Sequence, residues 1–418
     1  MRIRTILNRC HYLKSFVYEK EQLAVINGEE ALVIDVVPRK NGKAICSGCG
    51  KQSSGYDRGS AARLFTFVPL WGYAVYLRYV MRRVNCTDCG VKVEQVPWSE
   101  GKSPRTQAFE VFLARWARRL SWQEVASIFQ TSWEQVYRSV ESVVSYGLLH
   151  RSLDGIEAIG VDEVQCGRGH QYMTVVYQLN GNKKRLLHIA KDRTVKSLLR
   201  FCRILNATQL QAIRYVCSDM WKPYLKVIRK KLPQALHILD RFHIVALLNK
   251  AVDEVRRQEV KRLRSEGYDD VLTKGRYCFL KNPENLTDKQ QVKLDDMLQY
   301  DLKSVRAYLL KESFQAFWQY RSPYWAEWFL KKWCARAMRS QLSPIKRFVK
   351  TLRRHETLLM NYFKAKKAFS SGAVEGLNRK INLVTRKAYG FRNFDVMKIA
   401  LYHTMGGLPE PPLTHEFC

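Results

Sequence analysis

The sequence predicts a mixed α/β protein whose core is interrupted by an inserted all-α domain and preceded by two small N-terminal modules. Three observations support this prediction. Two cysteine pairs come first, followed by two short helices. Strand-like apolar runs then alternate with helical segments, and a long stretch of helical periodicity follows them. We therefore expect five segments, at 1–100, 101–150, 151–244, 245–367 and 368–418.

The charge of the chain predicts a polyanionic partner. The 418 residues include 71 Lys and Arg against 38 Asp and Glu, a formal net charge of +33 spread along the whole length. This excess favours nucleic acid, with a generically basic soluble protein and a peripheral membrane protein as the alternatives. No apolar run approaches the roughly 18 residues of a membrane span. The N-terminus also lacks the apolar region of a signal peptide, so we expect a cytoplasmic protein.

Four of the 11 cysteines form two Cys-x-x-Cys-Gly motifs, at Cys46 and Cys49 and at Cys86 and Cys89. In such a motif two thiolates and a following glycine wrap one side of a tetrahedral zinc ion. Two motifs complete a structural site with no open position for catalysis. Strand-like runs between the motifs predict a zinc ribbon over residues 1–100. A redox pair or unliganded buried cysteines are the alternatives.

Residues 101–150 have the pattern of a helix-turn-helix. An apolar helical face is followed by the Ser-capped segments 121–129 and 132–140, which a tight turn separates. A plain αα-hairpin without DNA contacts is the alternative. In the first interpretation the second segment presents four side chains to solvent or to the DNA major groove. They are Trp133, Gln135, Tyr137 and Arg138, of which Trp133, Gln135 and Arg138 are the predicted DNA contacts.

The segment 151–244 predicts three antiparallel strands followed by helix, strand, helix and strand. Turn-forming Asn180-Gly-Asn182 separates the second and third strands. The order βββαβαβ is typical of the RNase H-like fold, in which the first and fourth strands lie side by side at the centre of the sheet. The strands are expected at 158–165, 172–179, 185–190, 213–218 and 235–240.

The first and fourth strands carry Asp162 and Asp219 towards their carboxyl ends. Ligands bind at that edge of an open α/β sheet, and the predicted strand order makes the two acids neighbours. Pro223 follows where the first turn of a helix tolerates proline, so a helix-capping role for Asp219 is the alternative. Successive strand side chains face opposite ways, so only one of Asp162 and Glu163 can point into a shared site.

A third acid lies on a helix after the insertion. At about 100° per residue, Glu375 falls on one narrow polar and cationic stripe. Such a helix could cover the sheet and aim Glu375 at the other two acids. The alternative is a solvated stripe whose acid is favoured by the helix dipole. The insertion, residues 245–367, is rich in basic and aromatic residues. Its surface either binds DNA phosphates or belongs to a subdomain with a packing role only. The stripe comprises Glu375, Asn378, Arg379, Asn382 and Arg386.

Five motifs between residues 160 and 392 together resemble the ISL-three family of bacterial insertion-sequence transposases. The resemblance covers almost the whole chain and implies that Asp162, Asp219 and Glu375 are the catalytic set of a DDE transposase. Members commonly have Asp-Asp where this chain has Asp-Glu, which affects position 163 and leaves the catalytic position intact. The motifs are Gly160-Val-Asp-Glu, Ser218-Asp-Met-Trp-Lys-Pro-Tyr, Asp240-Arg-Phe-His, Gly372-Ala-Val-Glu-Gly-Leu-Asn and Arg386-Lys-Ala-Tyr-Gly-Phe-Arg392.

The resemblance implies metal-dependent cleavage and transfer of DNA strands. In-line phosphodiester chemistry uses two divalent ions about 4 Å apart, and Mg²⁺ or Mn²⁺ prefers the carboxylate oxygens that the three acids supply. Double-stranded DNA is then the partner, both as the element's terminal inverted repeats and as target. Holding two ends implies a homodimer or larger complex, bound to the bacterial nucleoid. We expect Arg392 to contact DNA together with Asn378, Arg379, Asn382 and Arg386 of the stripe.

Two other functions stay open. A structure-selective nuclease of the same fold would share the carboxylates without joining strands. A transposase-derived DNA-binding regulator would need the N-terminal modules but no aligned acids. Asp240, at the end of the fifth strand, is an alternative third acid.

Overall fold

The computed structural model describes residues 3–167, 169–181, 184–268, 271–367 and 372–412. Asn182 of the predicted turn lies outside these residues. The chain divides into two compact units, Met1–Ser152 with Leu383–Cys418 and Leu153–Asn382. Within the described residues, no helix is long and apolar enough to cross a membrane.

The first unit begins with a helix and a six-stranded sheet. The elements are α1 (Ile3–Cys10), β1 (Phe16–Ile26), β2 (Glu29–Pro38), β3 (Ala44–Ile45), β4 (Gln52–Leu70), β5 (Tyr73–Cys86) and β6 (Gly90–Val93). Their order is β1-β2-β5-β4-β3, and β6 pairs with β5. Asn27 and Gly28 have φ of 54° and 88°, which suits the tight turn between β1 and β2. A core containing Phe16, Phe65 and Trp98 stabilises this sheet.

Three helices follow the sheet in the first unit. They are α2 (Gln107–Ala117), α3 (Trp122–Ile128) and α4 (Trp133–His150). Ser121 and Ser132 cap α3 and α4 by accepting hydrogen bonds from backbone N–H groups of the first turns. Gln130, with φ of 48°, lies in the short connection between them. Buried Val125 and Val136 contribute to the core of this helical group.

The second unit contains a five-stranded sheet of order β11-β10-β7-β8-β9. The predicted neighbourhood of its first and fourth strands is present, since β7 and β10 pair in parallel. A buried apolar cluster that includes Ile159, Val216 and Tyr224 stabilises the sheet and its helices. The elements are β7 (Ala158–Gln165), β8 (Tyr172–Gln178), β9 (Arg185–Lys191), α5 (Val195–Ile204), α6 (Ala207–Ala212), β10 (Tyr215–Ser218), α7 (Lys222–Lys231) and β11 (Leu236–Leu239).

The predicted inserted region is helical. Buried Glu259 accepts hydrogen bonds from the backbone N–H groups of Lys303 and Ser304, and so caps one of its helices. Phe314 and Trp333 lie in its aromatic core. The helices are α8 (Arg241–Ser265), α9 (Arg276–Leu280), α10 (Asp288–Leu298), α11 (Lys303–Gln315), α12 (Pro323–Arg339), α13 (Ser343–Arg354) and α14 (Glu356–Lys364).

Two helices complete the described chain, α15 (Gly372–Lys387) and α16 (Phe394–Met405). The first turns of α15 pack closely on β7. A Cβ atom at Gly160 would lie 2.7 Å from Cγ2 of Val374, so only glycine fits there without a shift of the helix. This contact places the polar stripe of α15 beside the carboxyl half of β7.

Candidate active site

Two acids meet at the carboxyl edge of the central sheet. Val161 pairs with Ser218 across the parallel strands, and the next residues are Asp162 and Asp219. Asp162 is buried. Asp219 follows β10 directly and accepts a hydrogen bond from the backbone N–H of Trp221 (3.1 Å). The turn that begins α7 therefore holds this carboxylate at the edge of the sheet.

Asn378 fixes the orientation of Asp162. Its side-chain amide donates to Oδ2 of Asp162 (2.6 Å), while its own oxygen accepts from the Tyr177 hydroxyl (2.7 Å). Oδ1 of Asp162 accepts from the backbone N–H of Glu163 (2.8 Å). Asn378 was predicted as a DNA contact, and in the structure its amide donates to Asp162.

Asp240 and His243 belong to the same group. Nε2 of His243 lies 3.8 Å from Oδ1 of Asp162 and 3.8 Å from Oδ2 of Asp240. Asp240 also caps α8, because its Oδ1 accepts from the backbone N–H of Phe242 (2.6 Å). Sequence reasoning named Asp240 as an alternative acid and quoted His243 in a motif without a role. The spacing of the two at i and i+3 on a helix start was the available signal.

Burial makes this cluster electrostatically unfavourable without a cation. The pKa of Asp219 is raised to about 6, mainly by burial and also by the charges of Asp162 and Glu163, which outweigh the lowering effects of the Trp221 N–H and His243. The pKa of Asp162 is likewise raised, mainly by burial. Two carboxylates that are costly to ionise side by side form a donor set that fits a divalent cation, which would compensate both charges.

Glu163 follows Asp162 on β7, and successive side chains of a strand face opposite ways. One oxygen forms an ion pair with Arg193 (2.8 Å), while Oε2 is buried with no hydrogen-bond partner in the described chain. The Arg193 guanidinium lies over the rings of Tyr172 (4.2 Å) and Trp221 (4.7 Å). These contacts of Arg193 indicate that Glu163 has a structural role beside the site.

The structure does not bring the Glu375 carboxylate into contact with the other two acids. Glu375 forms an ion pair with Arg379 (2.6 Å), and its side chain is 42% exposed. Its helix nevertheless contacts the cluster through Asn378, one turn further on. Asp162, Asp219 and Glu375 therefore do not form a closed ligand group in this conformation. Among the described residues, only a cluster of four cysteines has three or more such ligand atoms within 4.8 Å of one another.

That cluster comprises Cys46, Cys49, Cys86 and Cys89. Sγ of Cys49 lies 3.5 Å from Sγ of Cys86, and the Gly48 N–H donates to the Cys46 sulfur (3.3 Å). Backbone N–H groups lower the pKa of Cys86 to about 6, whereas the crowded thiols raise that of Cys89 to about 12. A tetrahedral dication resolves this conflict by binding all four as thiolates, so the donor set supports a structural zinc ion.

The remaining predicted DNA contacts lie on α4 and α15, except Arg392, which lies in the connection before α16. Trp133 is exposed and stacks on Tyr137, with ring centroids 5.7 Å apart. Gln135 accepts from the Thr131 hydroxyl (2.8 Å), and exposed Arg138 pairs with Glu134 (2.6 Å). Four further predicted contacts are exposed: Arg379, Asn382, Arg386 and Arg392.

Comparison with known proteins matches two regions of the chain, one that contains the acid cluster and one that contains the cysteine cluster. Residues 159–401 match the ISL-three (ISL3) family model, described as a transposase. Residues 43–89 match the zinc finger of transposases IS204/IS1001/IS1096/IS1165. A transposase for insertion sequence element IS1557 from Mycobacterium tuberculosis is 28% identical over 416 residues, which cover 93% of this chain and 92% of that protein. A transposase for IS1001 from Bordetella parapertussis is 26% identical over 352 residues, covering 84% of this chain and 86% of that one.

Proposed function

This chain belongs to the ISL3 family of transposases, and we propose that it binds the terminal inverted repeats of an insertion sequence and cleaves and joins DNA strands with divalent metal. The observation that carries the proposal is the pair of buried acids, Asp162 and Asp219, at the carboxyl edge of neighbouring parallel strands. Their strand order supports assignment of the core to the RNase H-like fold.

In this proposal Asp162, Asp219 and Glu375 hold Mg²⁺ or Mn²⁺. When bound, the ions would activate a water or a DNA 3′-hydroxyl and stabilise the leaving oxygen. Asn378 keeps one oxygen of Asp162 fixed, so that its carboxylate does not have to reorient during the reaction. Nε2 of His243 lies 3.8 Å from one carboxylate oxygen of Asp162 and 3.8 Å from one of Asp240, so the ring separates the two acids.

Glu375 reaches the site by a side-chain rearrangement. It lies one turn before Asn378 on the same face of α15, and side chains spaced this way on a helix are roughly 5–6 Å apart at Cβ. In the structure it forms an exposed i,i+4 ion pair with Arg379. Such a pair contributes only about 0.3–0.5 kcal/mol, so the carboxylate can exchange Arg379 for metal at little cost.

The first unit supplies recognition in this proposal. The capped helices α3 and α4 act as a helix-turn-helix in which Trp133, Gln135 and Arg138 face DNA. The zinc cluster has a structural role beside them. Exposed cations add affinity without sequence selectivity, in keeping with a net charge of +33. Two subunits in a synaptic complex hold the two ends of the element.

Incubating the protein with Mg²⁺ and labelled DNA that carries its own flanking sequences tests this proposal. We expect cleavage and joining by the unmodified protein. Asp162→Asn, Asp219→Asn and Glu375→Gln should each abolish both, with DNA affinity unchanged or raised, because removing acidic charge lessens repulsion of phosphate.

Asp240→Asn is the matched control, since it removes an acid from the same cluster. Full activity of Glu375→Gln together with loss in Asp240→Asn would move the third ligand to Asp240. Full activity of Asp162→Asn would refute the proposed centre altogether. Cleavage without joining would instead favour a nuclease.

A further inference from the structure

A basic groove in the second unit begins beside the acid cluster. It has a volume of about 570 Å³ and is lined by side chains of α8 and α9. Phe242, at its start, precedes His243 of the cluster, and its ring is exposed. The charged lining consists of Lys250, Asp253, Arg256, Arg257 and Arg276.

Three arginines of this groove converge on one carboxylate. Asp253 is buried and pairs with Arg256 (2.8 Å), with Arg257 (3.5 Å) and with Arg276 (3.6 Å). One carboxylate is paired with three guanidinium groups, so the four side chains together carry a net charge of about +2. Arg257 and Arg276 are 61% and 55% exposed, which leaves their remaining N–H donors open to the groove. Asp253 therefore orients a cationic surface without neutralising it.

These oriented arginines form a better binding site for a phosphodiester chain than freely solvated arginines would. Guanidinium groups bind phosphate oxygens through paired N–H donors, and a fixed guanidinium loses less entropy on binding than a free one. A DNA strand offers a row of anionic oxygens to these arginines.

We propose that this groove, through Arg257 and Arg276, binds the phosphate backbone of the DNA strand that is cut, on one side of the cleaved bond. The inference rests on the proposed function and extends it to the inserted helical region. His243 and Asp253 are ten residues apart on α8. At about 1.5 Å per residue this is roughly 15 Å. Because each nucleotide step advances at least about 3.4 Å along the duplex, the contacted phosphates lie within about four nucleotides of the cleaved one.

The first test is the salt dependence of DNA binding by the full-length double variant Arg257→Gln, Arg276→Gln. Each lost phosphate contact should reduce the slope of log K against log[salt] by about 0.9. We expect a reduction of about 1.8, which corresponds to roughly 60-fold weaker binding at 0.1 M salt. Arg306→Gln is the matched control, since Arg306 is also an exposed arginine of the insertion that pairs with one aspartate. Its slope should stay that of the unmodified protein.

The second test locates the contact. Neutral methylphosphonate linkages are placed one at a time along the cut strand, and binding is measured for the unmodified and the double variant. We expect the unmodified protein to lose affinity at one or two positions within about four nucleotides of the cleaved bond, and the double variant to lose none there. Circular dichroism and thermal unfolding check that the variants fold.

The outcomes separate this inference from the proposed function. An unmodified protein that neither selects nor cuts its element ends would contradict the function itself. Normal cutting, with a double-variant slope equal to that of the unmodified protein, would overturn only the groove assignment. Equal methylphosphonate sensitivity in both proteins would overturn it as well.

Discussion

Replacing Asp219 by Asn should stabilise the metal-free protein while abolishing its activity. The folded chain raises the pKa of this carboxyl from 3.8 to about 6, mainly through burial. An acid with a higher pKa in the folded state holds its proton more tightly there, so stability falls as pH rises from about 4 to about 6. At about 1.4 kcal/mol per pKa unit, the difference of roughly 2.2 units corresponds to at most about 3 kcal/mol. Asparagine has no charge to bury and can still accept from Trp221.

Hydrogen exchange of amides in β7 and β10 measures this effect locally, without assuming that both units unfold together. Without added Mg²⁺, Asp219→Asn should gain up to about 3 kcal/mol of protection at pH 7.5 and nothing near pH 4. Saturating Mg²⁺ should stabilise the unmodified protein more than the variant, because metal binds the folded carboxylate. Asp301→Asn, which changes a carboxylate that is 93% exposed, is the control. Equal or lower protection of Asp219→Asn at pH 7.5 would refute the reasoning.

Two further predictions concern the first unit. Purified protein should contain about one zinc per chain, and Cys49→Ser should lose it and lose hydrogen-exchange protection around β3 and β6, while the separate core around Trp98 keeps its protection. Less than about half an equivalent of zinc, with all four cysteines freely alkylated, would contradict this. Substituting Gln135 or Arg138 should reduce discrimination between cognate and random DNA by about 1–3 kcal/mol, or roughly 5- to 150-fold, with little change in total binding. Competition binding measures this, and unchanged discrimination in the double variant would count against a recognition role for α4.

The strand order of the second unit was predictable because its determinants are local. Apolar runs of strand length and intervening helical segments follow one another along the chain, and short right-handed connections leave few ways to assemble them. The adjacency of Asp162 and Asp219 follows from that order. The cysteine cluster was predictable for a similar reason, since two thiols separated by two residues already share a turn.

Other features escaped the sequence reasoning. The hairpin of β1 and β2 was not predicted, although Asn27-Gly28 between two alternating runs was a readable signal. The short helix α6 was also missed, and Asn206 at its start is a capping residue. The place of His243 between two acids depends on how α8 leaves the sheet, which no local pattern encodes. Asn378 lay on the predicted stripe, but only the packing of α15 on β7 decides that its amide contacts Asp162.

The choice between Glu375 and Asp240 as third acid depends on what each carboxylate would give up. Asp240 caps α8, and replacing such a cap costs about 1 kcal/mol. Its Oδ2 also lies 3.8 Å from Nε2 of His243. Glu375 gives up only an exposed pair with Arg379, and Asn378 already holds its helix against the site. We therefore expect metal and DNA to recruit Glu375, with Arg379 released towards phosphate. In that event Arg379→Gln should weaken DNA binding while leaving metal binding intact.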